Sequence, residues 1–317
     1  MSGTPRVGIT AVVPAYNEAE SLPELARELT AALEALGRPW EILFVDDGSR
    51  DGTDRAIAAL AAADRRVRGV SLRQNFGKSA ALATAFRLAR GEWIVTLDAD
   101  LQDDPAELPK LVEALESGLD LVSGWKRQRR DPITKTVPSR LFNAVTSWVA
   151  GVRLHDFNCG YKLYRREVAE SLEIYGELHR FLPALAHWRG FRVGEVPVHH
   201  RARRFGHSKF GASRFVNGFL DLLSAAFIST SALKPLHVFG RIGLAFLVAG
   251  LGLGGWFVAQ WIGGEPMRVR PLMLVGAGLA LVGIQFILMG LLGEMIAHLG
   301  AGVEYPVRQR YNLDGGA

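Results

Sequence analysis

The stretch Trp93-Ile94-Val95-Thr96-Leu97-Asp98-Ala99-Asp100-Leu101-Gln102-Asp103-Asp104-Pro105 decides the fold. Its first five residues form an apolar run that reads as a buried strand. The run gives way to carboxylates two positions apart. Asp98 and Asp100 therefore stand where a strand opens into a loop, at the carboxyl edge of a sheet, where open α/β sheets bind ligands. Alternate residues of an extended chain point the same way. Two carboxylates on one face, followed by the neutral oxygen of Gln102, make a hard-oxygen site suited to Mg²⁺ or Mn²⁺. Such an ion commonly holds substrate phosphates as well. Asp104 and Pro105 have a simpler reading, as N-cap and first residue of the next helix.

The pattern around this stretch repeats it. Ile9-Thr10-Ala11-Val12-Val13 predicts a first strand, released into Pro14-Ala15-Tyr16-Asn17-Glu18. Glu20 to Leu36 has helical apolar spacing through Leu22, Leu25, Leu29 and Leu33. Glu41 to Val45 predicts a second strand, ending in Asp46-Asp47-Gly48-Ser49. An Ala-rich helix from Thr53 to Ala63, a strand from Val67 to Leu72 and a helix opening at Asn75-Phe76-Gly77-Lys78 follow. Further on come a helix from Pro105 to Glu116 and strands near Leu119 to Val122 and Val193 to Val198. Strands alternating with helices predict an α/β fold with a mostly parallel sheet, covered on both faces. Three strands then deliver acids and amides to one edge. Clustered carboxylates repel one another, and a cation with a bound nucleotide would resolve the cluster. Neither a Gly-x-Gly-x-x-Gly after the first strand nor a Walker A sequence is present, which argues against a dehydrogenase or a P-loop enzyme.

Composition sets the outer bounds. The chain has 317 residues, 49% of them hydrophobic, with a net charge of +5. That length suits one α/β domain with an appendage, and the basic balance suits an anionic partner such as phosphates or a membrane surface. The single cysteine, Cys159, excludes an intrachain disulfide. The short polar segment from Met1 to Arg6 does not resemble a signal peptide, so the first domain is expected to stay in the cytoplasm.

The C-terminal third differs. Phe210, Phe215, Phe219 and Leu222 beside Lys209 and Arg214 predict an interfacial amphipathic helix within 210–233. Ile242 to Gly263 and Leu272 to Leu292 contain no charged residue, and each approaches the roughly 20 residues that span a bilayer core. The short turn between them, with Arg268 and Arg270, predicts a transmembrane hairpin within 234–300 and leaves 301–317 as a cytoplasmic tail. The expected division is thus a catalytic domain over 1–209, the juxtamembrane helices, the hairpin and the tail.

These motifs resemble family 2 glycosyltransferases of the GT-A, Rossmann-like fold. More narrowly, the chain is similar to polyprenyl-phosphate glycosyltransferases, a group that includes dolichol-phosphate mannose synthases. Val13-Pro14-Ala15-Tyr16-Asn17-Glu18, Val45-Asp46-Asp47-Gly48-Ser49 and Asp98-Ala99-Asp100-Leu101-Gln102 match donor-nucleotide and metal motifs. Asp156-Phe157-Asn158-Cys159-Gly160-Tyr161-Lys162, His179-Arg180-Phe181 and Arg203-Arg204-Phe205-Gly206-His207-Ser208-Lys209 resemble acceptor-side motifs. Gln-x-x-Arg-Trp, the signature of processive synthases, is absent, which argues for a single transfer.

The resemblance implies an integral protein of the cytoplasmic membrane that moves a hexose from a nucleotide sugar to a polyprenyl phosphate with inversion. A UDP-glucose-type donor is favoured; GDP-mannose is the alternative. Asp98, Asp100 and Gln102 would hold Mg²⁺ or Mn²⁺, and Pro14, Tyr16, Glu18, Asp46, Asp47 and Asp98 would hold the nucleotide. Lys78, at a helix start, reads either as a nucleotide contact or as a solvated first-turn lysine. Arg127, Arg140, His179, Arg180, Arg203, Ser208 and Lys209 would surround the acceptor phosphate. Catalysis is assigned to Asp100, through the metal, and to Asp156. The latter resembles a base, although a phosphate monoester is already largely dianionic at neutral pH, so an orienting role is the alternative. A homo-oligomer is compatible with the sequence. A membrane-anchored sugar-nucleotide-binding protein without turnover is a rival reading, disfavoured because Asp98, Asp100 and Arg203 are all present. Nucleic acid is not expected as a partner, because the basic residues flank a membrane hairpin.

Overall fold

The computed structural model describes residues 7–126, 143–201, 235–264, 266, 270–299 and 307–311. Arg127 and Arg140, Arg203, Ser208 and Lys209, the amphipathic stretch 210–233 and the turn residues Met267 and Arg268 lie outside them. The described residues fall into two compact units, one drawn from Met1–Ala225 and Val303–Ala317, the other from Ala226–Gly302.

The first unit is built on an eight-stranded sheet. Its centre is parallel and predicted by the apolar runs: β1 (Ile9–Ala15) lies between β2 (Trp40–Asp46) and β4 (Trp93–Thr96), and β3 (Val67–Leu72) flanks β2. The crossovers are α1 (Leu22–Ala35), α2 (Thr53–Ala63) and α3 (Lys78–Leu88). The flanks are mixed. β6 (Lys162–Arg165) runs antiparallel to both β4 and β5 (Leu121–Trp125), and β7 (Val193–Pro197) extends β5 in parallel. On the far edge β8 (Val307–Tyr311) pairs antiparallel with β3. The sequence reading had left β8 inside a tail.

Alternation along the strands divides the core. Ile9, Ala11 and Val13 face the buried stripe Leu22, Leu25, Leu29 and Leu33 of α1, together with Leu108, Leu111 and Leu115 of α4 (Leu108–Glu116). Val12 faces the other way, with Ala81, Ala85 and Phe86 of α3. Phe157, Tyr164 and Phe181 complete that second layer, and Phe86 meets Tyr164 edge-on with ring centroids 5.3 Å apart. The four parallel strands β1 to β4 thus present their carboxyl ends at one edge. The antiparallel β6 brings its amino end there too, with Lys162 opposite Thr96.

The second unit is a pair of hydrophobic helices, Pro235–Ile262 and Pro271–Leu299, which contain the predicted spans 242–263 and 272–292 apart from Gly263. Their backbones touch. A Cβ on Gly243 would lie 2.6 Å from the carbonyl oxygen of Gly283, and one on Gly250 would lie 2.5 Å from the amide nitrogen of Ala280. Small residues at such crossings allow the close approach typical of helices in lipid. Large apolar side chains cover the outside, among them Leu251, Trp256, Leu274 and Leu281.

Candidate active site

β4 stops at Thr96, and Leu101 adopts φ +60°, so the chain from Asp98 to Gln102 is a turn and not an extended ribbon. Asp98 stays about one-third exposed, while Asp100 is buried and accepts from the backbone N–H of Gln102 at 3.2 Å. The side-chain amide nitrogen of Gln102 leans toward the carbonyl of Arg201 at 3.5 Å. Among the described residues no group of three or more His, Cys, Asp or Glu side chains gathers for a metal. Asp98 already binds a cation, the ammonium of Lys78. A hard carboxylate pair with few protein ligands fits Mg²⁺ or Mn²⁺ sharing substrate phosphates, since Mg²⁺ is usually held by one or two carboxylates plus phosphate.

The loops after β1 and β2 are fastened to each other. Asn17, at φ +56°, donates its N–H to Ser49 Oγ at 2.8 Å, and its side-chain oxygen accepts from the N–H of Arg50 at 2.9 Å. Glu18 donates its N–H to Thr53 Oγ1 at 2.9 Å, and Tyr16 stands exposed beside them. Asp46 is fully buried; its Oδ1 accepts from the N–H of Ser49 at 2.9 Å, and its Oδ2 has no partner among the described residues. Asp47 spends both oxygens on the loop before α3, accepting from the N–H of Phe76 and of Gly77 at 2.8 Å each. Burial pushes the Asp47 carboxyl above its ordinary range, although those two hydrogen bonds oppose the rise. Gly77, at φ +92°, makes the sharp entry to α3, and Lys78 is the first helical residue.

Lys78, Asp98, Asn158, Gly160, Lys162 and His179 line one cleft, and Pro14 lies at its wall. Gly160 packs so closely on Asp98 that a Cβ would stand 2.7 Å from both carboxylate oxygens. Asp156 is buried and accepts from the N–H of Asn158 at 3.1 Å, which shapes the turn leading to Gly160. Lys162 is buried and donates to the carbonyl of Cys159. Burial pushes its ammonium down to about 8, and the charge of Lys78 adds to this, while Asp156 and Asp98 oppose it. Burial likewise pushes the Cys159 thiol up to about 12, so it is inert at neutral pH. His179 is bolted to α3: its Nδ1 lies 2.9 Å from Ser79 Oγ, which also accepts from the His179 N–H at 3.2 Å. Arg180 pairs with Glu177 at 2.8 Å.

Behind the turn lies a charged cluster. Asp103 is buried, 3.1 Å from Lys126 Nζ and 3.6 Å from His200 Nδ1. Burial alone would raise its pKa, but the Lys126 charge and the His200 contact outweigh it and hold the carboxyl well below the usual range. Arg201 donates its N–H to the carbonyl of Gln102 at 2.8 Å, and its guanidinium reaches Glu28 and Asp104, each at 2.7 Å. The turn is thereby tied to the two segments that lead into 127–142 and 202–234.

The family model for glycosyl transferase family 2 matches residues 10–173, the span that carries this edge and its loops. The chain belongs to glycosyl transferase family 2. A second family model, the GtrB C-terminal hairpin, matches residues 234–299. The family 2 chain is 37% identical over 322 residues to a dodecaprenyl-phosphate galacturonate synthase of Rhizobium johnstonii, covering 96% of this chain and 93% of that one. It is 35% identical over 312 residues to an undecaprenyl-phosphate 4-deoxy-4-formamido-L-arabinose transferase of Salmonella enteritidis, covering 96% and 91%. Among solved structures, glucosyl-3-phosphoglycerate synthase of Mycobacterium tuberculosis superposes with a TM-score of 0.56 at 22% identity. The match covers 72% of this chain and 82% of that one, a likeness of fold.

Sequence reasoning thus assembled Pro14, Lys78, Asp98 and His179, which meet at the cleft, and Tyr16, Glu18, Asp46 and Asp47, which sit on adjoining loops. It missed Gly160 and Lys162 as neighbours of Asp98, and the cluster of Asp103, Lys126, His200 and Arg201. One signal was available for the cluster. The tandem Asp103-Asp104 has one acid more than the cap requires, since Asp104 alone accepts from the N–H of Ala106 at 3.0 Å.

Proposed function

We propose that this family 2 enzyme transfers a single glycosyl group from a UDP-sugar to a polyprenyl phosphate at the cytoplasmic face of a membrane. The observation that carries the reading is the cleft in which Asp98, Lys78, Lys162 and His179 converge at the carboxyl edge of the sheet, in a chain that also carries a bare hydrophobic helix pair. The names of both relatives supply the acceptor class, and their sugars, galacturonate and formamido-arabinose, widen the donor beyond the glucose type. The helix pair, apolar on its outer surface, fits a bilayer hairpin. The single free thiol fits a reducing compartment.

In this reading the nucleotide lies along the loops of Tyr16, Glu18 and Asp46, and Asp46 Oδ2 accepts from a donor hydroxyl or ring N–H. Asp98 and Asp100, with Gln102, would hold Mg²⁺ or Mn²⁺, which would supply Lewis-acid stabilisation of the departing diphosphate. An oxygen of the acceptor phosphate forms a bond to the anomeric carbon from the face opposite the diphosphate. The bond from that carbon to the diphosphate oxygen breaks, its electron pair leaves with the nucleotide, and the configuration inverts. The acceptor is largely dianionic at neutral pH, so no proton need be removed. Asp156 then serves as an orienting group: it fixes the turn that carries Asn158 and Gly160 against Asp98. Arg127, Arg140, Arg203 and Lys209 offset repulsion between the two phosphate groups, and the Ser208 hydroxyl donates a hydrogen bond to the acceptor phosphate.

The test is a screen of UDP- and GDP-linked glucose, galacturonate, mannose and formamido-arabinose with the full chain in bilayers and a polyprenyl phosphate. Sugar-labelled lipid from a UDP donor is the expected product. Transfer only from a GDP donor, or only to a soluble acceptor, would contradict the proposal.

A further inference from the structure

We propose that Lys78 is a resident counter-ion for Asp98, which a divalent metal must displace, and that Asp47 is the residue that positions it. The inference rests on the metal role of Asp98 given above.

Three observations converge. The Lys78 ammonium is hydrogen-bonded to Asp98 Oδ1, with each side chain about one-third exposed. On another side Gly160 closes against both carboxylate oxygens. A cation approaching Asp98 therefore finds one side closed by Gly160 and Oδ1 already held by another cation, with the remaining approach through the exposed third of the side chain. Secondly, Lys78 occupies the first position of α3, whose amino end carries partial positive charge. A lysine is unfavourable there for the helix itself, and its attraction is to Asp98. Thirdly, the backbone that delivers it is fixed from a distance. Asp47 grips the N–H groups of Phe76 and Gly77, the two residues immediately before Lys78, from the end of a different strand. Two adjacent loop amides held at 2.8 Å leave the lysine stem little freedom to point elsewhere.

The arrangement neutralises Asp98 while no metal is bound. A divalent ion at the same oxygen would be repelled by an ammonium a few ångströms away, twice as strongly as a monovalent ion would be. Metal entry and lysine departure are therefore coupled. The released ammonium stays at the mouth of the cleft, where the incoming diphosphate is the nearest anion. Metal and donor then support each other's binding, because each removes the reason for the Lys78–Asp98 pair.

The sign of the effect tests this. Mn²⁺ binding is measured by electron paramagnetic resonance on the full chain in lipid nanodiscs, with no nucleotide present. Lys78→Met is expected to tighten Mn²⁺ binding about 1.5- to 5-fold, the range of a partly exposed ion pair removed. Lys78→Arg should stay near wild type. Asp47→Asn, whose amide can accept from only one of the two N–H groups, should tighten it by a smaller factor. With Mn²⁺ saturating, Lys78→Met should weaken UDP binding. A merely structural role for Lys78 or Asp47 would lower Mn²⁺ affinity with the loss of order. Unchanged or weaker Mn²⁺ binding in Lys78→Met, with Asp98→Asn abolishing it, overturns the counter-ion role and leaves the metal reading standing. Mn²⁺ binding that survives Asp98→Asn overturns the metal reading itself.

Discussion

Gly160→Ala should disable transfer while leaving the fold in place. Gly160 does not have a positive φ, so a side chain strains no backbone there; the constraint is the neighbour. The new methyl would lie 2.7 Å from Oδ1 and Oδ2 of Asp98 and 2.8 Å from Cγ, where ordinary contacts begin at 3.4 Å. Gly160 cannot retreat. Its carbonyl accepts from Thr96 Oγ1 at 2.8 Å, and β6 is paired to β4 from Lys162 onward. The carboxylate must therefore move by roughly 0.7 Å, the difference between ordinary contact and the distance available. A catalytic group tolerates about 0.5 Å, and a misplacement of about 1 Å can cost ~100-fold. The expected loss in sugar transfer is thus about 10- to 100-fold, or roughly 1.4–2.7 kcal/mol of barrier. Mn²⁺ affinity should fall with it, because the displaced group is the ligand proposed above. The assay is initial transfer rate with labelled donor and polyprenyl phosphate, beside thermal unfolding followed by tryptophan fluorescence. A variant within twofold of wild type in rate and in Mn²⁺ affinity would refute the claim that Gly160 sets the position of Asp98.

Asp100→Asn should remove most transfer activity, and excess chelator should abolish it in wild type; full activity in chelator would count against a metal. Lys162→Met should raise stability at pH 7 by up to about 3 kcal/mol, because burial depresses the folded-state pKa from 10.5 to about 8. Between pH 8 and 10.5 the unfolded chain binds the extra proton, so wild-type stability gains from this group as pH rises and the gap between variant and wild type closes; a gap constant from pH 7 to 10 would contradict the burial cost. Asp103→Asn strands the Lys126 charge in a buried site and should lower stability by about 3–5 kcal/mol, most of it recovered in Asp103→Asn with Lys126→Met; equal melting temperatures for the single and double variants would rule out that pairing. A cysteine at Met267, in a Cys159→Ser background, should react with an impermeant thiol reagent outside intact cells; reaction only after lysis would reverse the proposed topology.

The parallel centre of the sheet was legible because its signal is local. Ile9 to Val13 and Ile42 to Val45 are buried nearly throughout, so their apolar runs need no partner to be read. The α1 stripe and the two uncharged helices are similarly written in spacing and length. The site was legible only as residue types. Lys78 pairs with a residue 20 positions on, Asp47 with backbone about 30 positions on, and Arg201 with Glu28 across 173. No periodicity encodes such pairs. Gly160 was visible in the sequence as part of a polar-aromatic turn; that its missing side chain makes room for Asp98 is a fact of the β4–β6 pairing. The expected single face for Asp98 and Asp100 assumed extended chain; the chain there is a turn, with Asp100 buried and the Asp98 side chain about one-third exposed.

β8 escaped for a different reason, and it carries a consequence for topology. Val307-Arg308-Gln309-Arg310-Tyr311 has polar residues at its centre, as edge strands often do to avoid pairing with foreign chains. Nothing in it resembles the apolar runs of β1 and β2. Yet it pairs with β3, Tyr311 opposite Gly69 and Arg310 opposite Val70. The chain leaves the first unit, passes through both hydrophobic helices and returns to the same sheet. Whatever path the helices take through a bilayer, the number of crossings between departure and return must be even. A single crossing with the second helix lying on the far surface would strand Val307–Tyr311 across the membrane from its partner strand. Charge counting could not settle this, because Arg241 precedes the first uncharged stretch, Arg268 and Arg270 lie between the two, and Arg308 and Arg310 follow the second. For the proposed bilayer hairpin, the strand pairing argues for an even number through backbone hydrogen bonds, which have no equivalent on the other side of a lipid core.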